Sequence, residues 1–258
     1  MKLSIVIAAR NDNHGDNFLS RMQKGLDNLF RLSALSALDA EVIIVEWNNP
    51  IGKTHLQDIL DWSKASIPVR VIHVPPEIHQ SLPEAGNSPI FVCWAENVGI
   101  RRASGQFVLI STADILYSKD MISFLAKESL DESCFYGAIR HDIDNSGKVV
   151  EIRGREPYLG MHMNACGDFT LMAKTRWEQL RGYPEVPFNT YMDGTVLYLA
   201  SQIGMRQIVL TAPIYHMNHG VAERDSRPVL DLARFPLPMN QHEDWGFRDI
   251  KLEETKIL

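Results

Sequence analysis

Four short segments in the first 112 residues, at 3–9, 41–46, 68–74 and 106–112, are rich in β-branched residues and apolar along most of their length. Between them lie stretches that are apolar at helical spacing, a pattern few chain folds accept. Phe18, Leu19, Met22, Leu26, Leu29 and Phe30 mark a helix within 16–38. A second helix is expected at 55–64, after a turn at 48–52. Phe91, Trp94, Ala95 and Val98 line a third, which Ser104 and Gly105 end. Strands apolar on both faces must be covered on both faces, so the fold class read from this order is α/β: a mostly parallel central sheet with helices on both sides. Ligands of such sheets bind beyond the carboxyl ends of the strands. Polar residues stand at those ends: Arg10, Asn11 and Asp12 after the first strand, Glu46, Trp47 and Asn48 after the second, and Asp114 after the fourth.

The rest of the chain narrows the function by exclusion. A net charge of −6 opposes a nucleic-acid partner bound through the overall field. The longest purely apolar run, 90–95, is six residues, whereas a membrane span needs about 20, so no transmembrane segment is expected. The apolar start breaks at Arg10 and reads as a strand rather than a secretion signal. Three widely spaced cysteines suit neither a disulfide framework nor a CxxC zinc site, which points to a reducing cytoplasm. No glycine-rich phosphate loop of the dinucleotide or P-loop kind is present in the sequence. Beyond the fourth strand the sequence predicts shorter strands, loops at 154–167 and 181–191, a helix at 193–203 and a strand at 206–210. Periodicity fades after Gly220.

The run Asn97-Val-Gly-Ile-Arg-Arg-Ala-Ser-Gly-Gln-Phe-Val-Leu-Ile-Ser-Thr-Ala-Asp114 resembles the helix, strand and metal-binding turn of family-2-like glycosyltransferases with the GT-A fold. Strands one and two, Gly167-Asp-Phe-Thr-Leu-Met172, Leu180-Arg-Gly-Tyr-Pro-Glu185, Tyr191-Met-Asp193 and Ile214-Tyr-His-Met-Asn-His219 extend the resemblance, in order, over nearly the whole chain. It implies a single GT-A domain at 1–220, with a nucleotide-sugar half at 1–117, an acceptor and catalytic half at 118–220, and a tail or lid at 221–258.

The resemblance also implies roles. Thr112-Ala113-Asp114 stands where the family carries Asp-x-Asp, so Asp114 would reach Mn²⁺ or Mg²⁺, with His216 and His219 as further ligands. A turn aspartate and surface histidines are the plainer readings. Ala9, Asp12, Glu46, Asn97, Arg101, Thr112 and Ala113 would surround the donor nucleotide, and Arg101 or Arg102 could give forked donors to phosphate. Asn164, Gly167 and Asp168 would line the sugar pocket, and Trp245 would close over it as part of a lid or simply pack. Asp193 would be the general base on the acceptor hydroxyl, a role compatible with capping the helix that follows. Cys166 reads as an inert buried thiol.

The activity implied is transfer of a sugar from a nucleotide-diphosphate sugar, UDP before GDP, to a hydroxyl of a glycan or glycolipid, with inversion. The setting would be polysaccharide or glycoconjugate synthesis in the cytoplasm or at the inner face of a membrane. Two alternatives stay open. One is a nucleotidyltransferase making nucleotide sugars; the other is a degenerate binding protein, since Thr112 and Met192 replace family acids.

Overall fold

The computed structural model describes residues 1–153, 160–163, 165–187, 189, 192–219 and 235–258. The strands are β1 (Leu3–Ala9), β2 (Ala40–Trp47), β3 (Val69–Val74), β4 (Phe107–Ser111), β5 (Ile115–Tyr117), β6 (Cys134–Ile143), β7 (Val149–Arg153), β8 (Phe169–Ala173), β9 (Arg206–Met217) and β10 (Glu253–Lys256). The helices are α1 (Phe18–Ser36), α2 (Leu56–Ile59), α3 (Pro76–Ser81), α4 (Val92–Arg102), α5 (Lys119–Lys127), α6 (Lys174–Leu180) and α7 (Met192–Gln202).

One sheet runs in the order β10-β3-β2-β1-β4-β8-β6-β9-β5, with β7 paired to β6. Its centre, β3-β2-β1-β4, is parallel as the apolar runs predict, while β8 and β10 pair antiparallel at its flanks. Alternation along β1 divides the core. Ile5 and Ile7 meet Met22, Leu26 and Phe30 of α1, and Val6 meets Val98 of α4 on the other face. Each such side chain contributes about 1.5–3 kcal/mol by leaving water. Close approach of α4 depends on Gly99, where a Cβ would lie 2.3 Å from Val6 Cγ1.

Three expectations need correction. The helix expected at 55–64 is the single turn Leu56–Ile59, because Leu60 turns extended and Asp61 Oδ1 accepts from Ser63 N at 2.9 Å, an Asx turn that competes with the helix. Two strands of the second half are longer than expected, β6 with 10 residues and β9 with 12, while β5, β7, β8 and β10 are short; the strand expected at 206–210 runs on to Met217 and carries His216. Residues 235–258 are not a loose lid. Trp245 and Phe247 are core residues, and β10 pairs with β3 inside the nucleotide half. Among the described residues no helix is long and apolar enough to cross a membrane.

Candidate active site

Strand pairing decides which side chains meet at the carboxyl edge of the sheet. β4 ends at Ser111, and the turn at 112–114 leads into β5, whose Ile115 lies opposite His216 of β9. Met217 N donates to Asp114 O at 3.1 Å and fixes that register. Asp114 Oδ2 then lies 3.3 Å from His219 Nε2 and 3.7 Å from His216 Nε2. The three ligand atoms of this set fall within 4.8 Å of one another. One carboxylate oxygen and two imidazole nitrogens at this spacing are a chelating set for a divalent ion. Burial opposes ionisation of Asp114, yet a hydrogen bond from His219 and the charges of His216, His219 and Arg21 hold its pKa down to about 2. Burial also lowers the pKa of His216, which favours the neutral imidazole a metal requires.

Arg21, which the sequence reading did not single out, supports this corner. Its Nε lies 3.3 Å from Asp114 Oδ2, Nη2 donates to His14 O at 2.8 Å and Nη1 to Gly15 O at 3.0 Å. The guanidinium thus ties the loop after β1 to the carboxylate. Its signal in the sequence is an arginine on the buried face of α1, beside Phe18 and Met22. Gly25, one turn on, lets that face touch the turn itself: a Cβ there would lie 2.7 Å from Ala113 O.

A second layer of ion pairs stands behind the first. The parallel register of β6 and β9 sets Asp142 beside His216, with Oδ1 3.2 Å from Nδ1. Arg140 bridges Asp142, at 2.7 Å, and Asp168, while Arg153 Nε reaches Asp142 Oδ2 at 2.8 Å. Thr112 Oγ1 donates to Asp168 Oδ1 at 3.0 Å, so the threonine is tied to the turn before β8. Asp168, expected in the sugar pocket, is 7% exposed and engaged by Arg140 and Thr112.

Asp193 lies inside the first turn of α7 rather than capping it. Its Oδ1 accepts from Gly194 N at 2.9 Å, and a Cβ on Gly167 would lie 3.1 Å from its Oδ2. Burial raises the Asp193 pKa, and the charge of Asp168 adds to the effect. Buried Glu96 of α4, also missed by the sequence reading, is pushed well up by burial and then by Asp193 and Asp168. A carboxyl held above its ordinary range is a better proton acceptor than a free one.

The structure does not place five expected residues at a donor. Asn97 is wholly buried: Oδ1 accepts from Tyr183 N at 2.7 Å, and Nδ2 donates to Tyr183 O at 2.8 Å and to Glu185 Oε1 at 3.0 Å. Arg101 stacks at 4.5 Å over the Trp245 ring, at the C-terminal end of α4 and hence at the amino edge of the sheet. Arg102, on the same turn, donates to the carbonyls of Gly246, Phe247 and Ile250. Trp245, 1% exposed, has no face to offer a sugar. Glu46 is buried with both carboxylate oxygens occupied by Leu56 N, His55 and His73. Ala9 and Ala113 are buried at strand ends, where their backbone remains the available part, and half-buried Asp12 pairs with Arg10 at 2.7 Å. Asn164 lies outside the described residues.

No protein-family model and no curated protein matches the sequence. Solved structures do match. The catalytic domain of Drosophila β1,4-galactosyltransferase 7, in complex with xylobiose, superposes with a TM-score of 0.53 at 9% identity, over 97% of this chain and 84% of that one. S. aureus TarS 1–349 gives 0.56 at 18% identity, and its complex with UDP gives 0.54 at 17%; each covers 84% of this chain. This chain spans 60–61% of those TarS chains. The sheet order, the covering helices and these superpositions together give the chain the GT-A fold of glycosyltransferases.

Proposed function

We propose that the protein is a nucleotide-sugar glycosyltransferase that moves a sugar from a nucleoside-diphosphate donor to an acceptor hydroxyl with inversion. The observation that carries this reading is the meeting of Asp114, His216 and His219 at the carboxyl edge of a GT-A sheet. These three residues would hold a divalent ion, and two imidazoles beside one carboxylate suit Mn²⁺ better than Mg²⁺. When bound, such an ion neutralises the diphosphate and stabilises the charge that grows on it as it leaves. A UDP donor is favoured by the neighbour that was solved with UDP. Asp12 and the backbone of Ala9 and Ala113 would border the nucleotide, and Gly167 the sugar.

Asp193 is the base in this scheme. Its carboxylate accepts the acceptor's hydroxyl proton as that oxygen bonds to the anomeric carbon, while the bond from that carbon to the diphosphate oxygen breaks. The raised pKa of Asp193 supports the role. Asp168 and Arg140 hold the turn before β8, and with it Gly167, against the metal-type corner.

Calorimetric titration of UDP, GDP, CDP and dTDP, with and without Mn²⁺, tests the reading on wild type, Asp114→Ala and His219→Ala. Mn²⁺-dependent binding of one nucleotide, lost in both variants, is expected. Binding that is indifferent to Mn²⁺ and to both substitutions overturns the metal assignment, and binding of none of the four overturns the transferase reading.

A further inference from the structure

A second group of ligating side chains lies at the ends of β2 and β3, built from residues separate from those of the Asp114 set. Glu46 Oε1 accepts from Leu56 N at 2.7 Å, which anchors the turn α2 to the strand. The other oxygen, Oε2, faces two imidazoles, with His55 Nδ1 at 2.6 Å and His73 Nδ1 at 2.7 Å. The two rings stand edge to face, 4.9 Å between centroids. The three ligand atoms of this set lie within 4.8 Å of one another. Glu46 and His73 are buried, whereas the His55 side chain is half exposed and borders a cavity of about 320 Å³ that also touches Lys53 and Glu253.

His73 has a partner on each ring nitrogen. Its far nitrogen, Nε2, lies 2.7 Å from Gln57 Oε1. A ring that donates Nε2–H to a carbonyl oxygen presents a bare lone pair at Nδ1. That lone pair would face a carboxylate oxygen that is itself only an acceptor, so the contact is closed either by a further proton on the ring or by a cation between the two atoms. Metal-bound histidines show this arrangement, with the outer ring N–H donated to a carbonyl that fixes the tautomer.

We propose that Glu46, His55 and His73 form a second divalent-cation site, of the zinc class, distinct from the Asp114 corner. Two imidazoles and one carboxylate are a donor set zinc accepts with a fourth position left to water, and the cavity lies on that open side. Around a tetrahedral zinc with bonds of about 2.0–2.1 Å, neighbouring ligand atoms stand about 3.3 Å apart. Entry of the ion therefore opens each Nδ1–Oε2 contact by about 0.6 Å and displaces the protons that now close it, a movement the half-exposed His55 ring can supply. The ion would pin the 48–55 loop, which already receives Arg10 Nε on Asn48 O and Asn11 Nδ2 on Thr54 O, across the end of β1. The inference stands whether or not the transferase reading holds.

The test uses the full chain carrying Asp114→Ala and His219→Ala, which removes the other cluster. Cobalt(II), followed by its visible absorption, and zinc, followed by calorimetry, are titrated into this background and into the same chain with His55→Ala added. One bound equivalent in the background and none after His55→Ala is expected. In the otherwise wild-type chain, His55→Ala should remove one bound equivalent of zinc. Because His55 is half exposed, the added substitution leaves the core intact, which a melting curve checks. No cobalt or zinc in the background, or an equivalent that persists after His55→Ala, overturns the proposal and leaves the trio a proton-bridged set.

Discussion

Replacing Asp114 with asparagine keeps the side chain's shape and removes its charge, and the structure sets the size of the effect. The carboxyl is buried beside Arg21, His216 and His219, and its pKa falls from 3.8 to about 2. At about 1.4 kcal/mol for each pH unit, ionised Asp114 contributes about 2 kcal/mol to the folded state. A carboxyl whose folded pKa is depressed stabilises above its unfolded value and loses that contribution as pH falls from about 4 toward 2. Urea unfolding of the metal-free chain should therefore find Asp114→Asn about 2 kcal/mol less stable than wild type near pH 6.5, with the gap narrowed by about 1 kcal/mol near pH 3. Carboxyls remote from this cluster titrate alike in both proteins and cancel. A gap of the same size at both pH values would refute the ion-pair reasoning, and no gap at all would mean that Arg21 is satisfied by its backbone carbonyls.

Other substitutions separate structural from chemical roles. Trp245→Ala should cost about 3–5 kcal/mol of stability, read from the urea midpoint, because the ring is core and carries Arg101. A Trp245→Ala protein of wild-type stability that had lost nucleotide binding would restore the lid. Asp142→Asn should weaken Mn²⁺ binding about 10–100-fold by calorimetry while Asp114, His216 and His219 remain in place, since the carboxylate orients the His216 ring. Unchanged affinity would reduce Asp142 to a partner of Arg140 and Arg153.

The parallel centre of the sheet was readable because each of its strands is a local apolar run, and locality is what a sequence displays. β6 was not, and β9 only at 206–210, since Arg140, His141 and Asp142 interrupt β6 with charge and β9 ends in polar residues; their pairing is set by neighbours far along the chain. The same distance explains Arg21, which looks like an ordinary helix arginine until Asp114 arrives 93 residues later. The expectation that Asn97 and Arg101 touch a donor failed for a different reason. The Asn-x-Gly motif here is about packing: Asn97 pins Tyr183 and Glu185, and Gly99 admits Val6. Glu46 was read as a polar residue at a strand end, and nothing in 41–46 announces that His55 and His73 converge on it. Asp114, His216 and His219 were grouped by resemblance, and the β5–β9 register gives that grouping a geometric cause.

The pairing of β10 with β3 has a bearing on how the chain is made. Arg70 holds Glu254 through a forked pair, Nε to Oε1 and Nη2 to Oε2, each at 2.9 Å, between residues 184 positions apart. At about 5–20 residues per second, a ribosome needs about 10–40 s to cover that separation. Once residue 111 has been made β1 to β4 are complete, yet until residues 246–256 follow, the outer edge of β3 presents its backbone donors and acceptors unpaired and Arg102 lacks the carbonyls of residues 246, 247 and 250. An open strand edge is a template for any other extended chain. The newborn nucleotide half is thus most exposed to wrong pairing before its own last strand arrives, and the conditions of synthesis, as much as the finished contacts, govern how much of this protein reaches its native sheet.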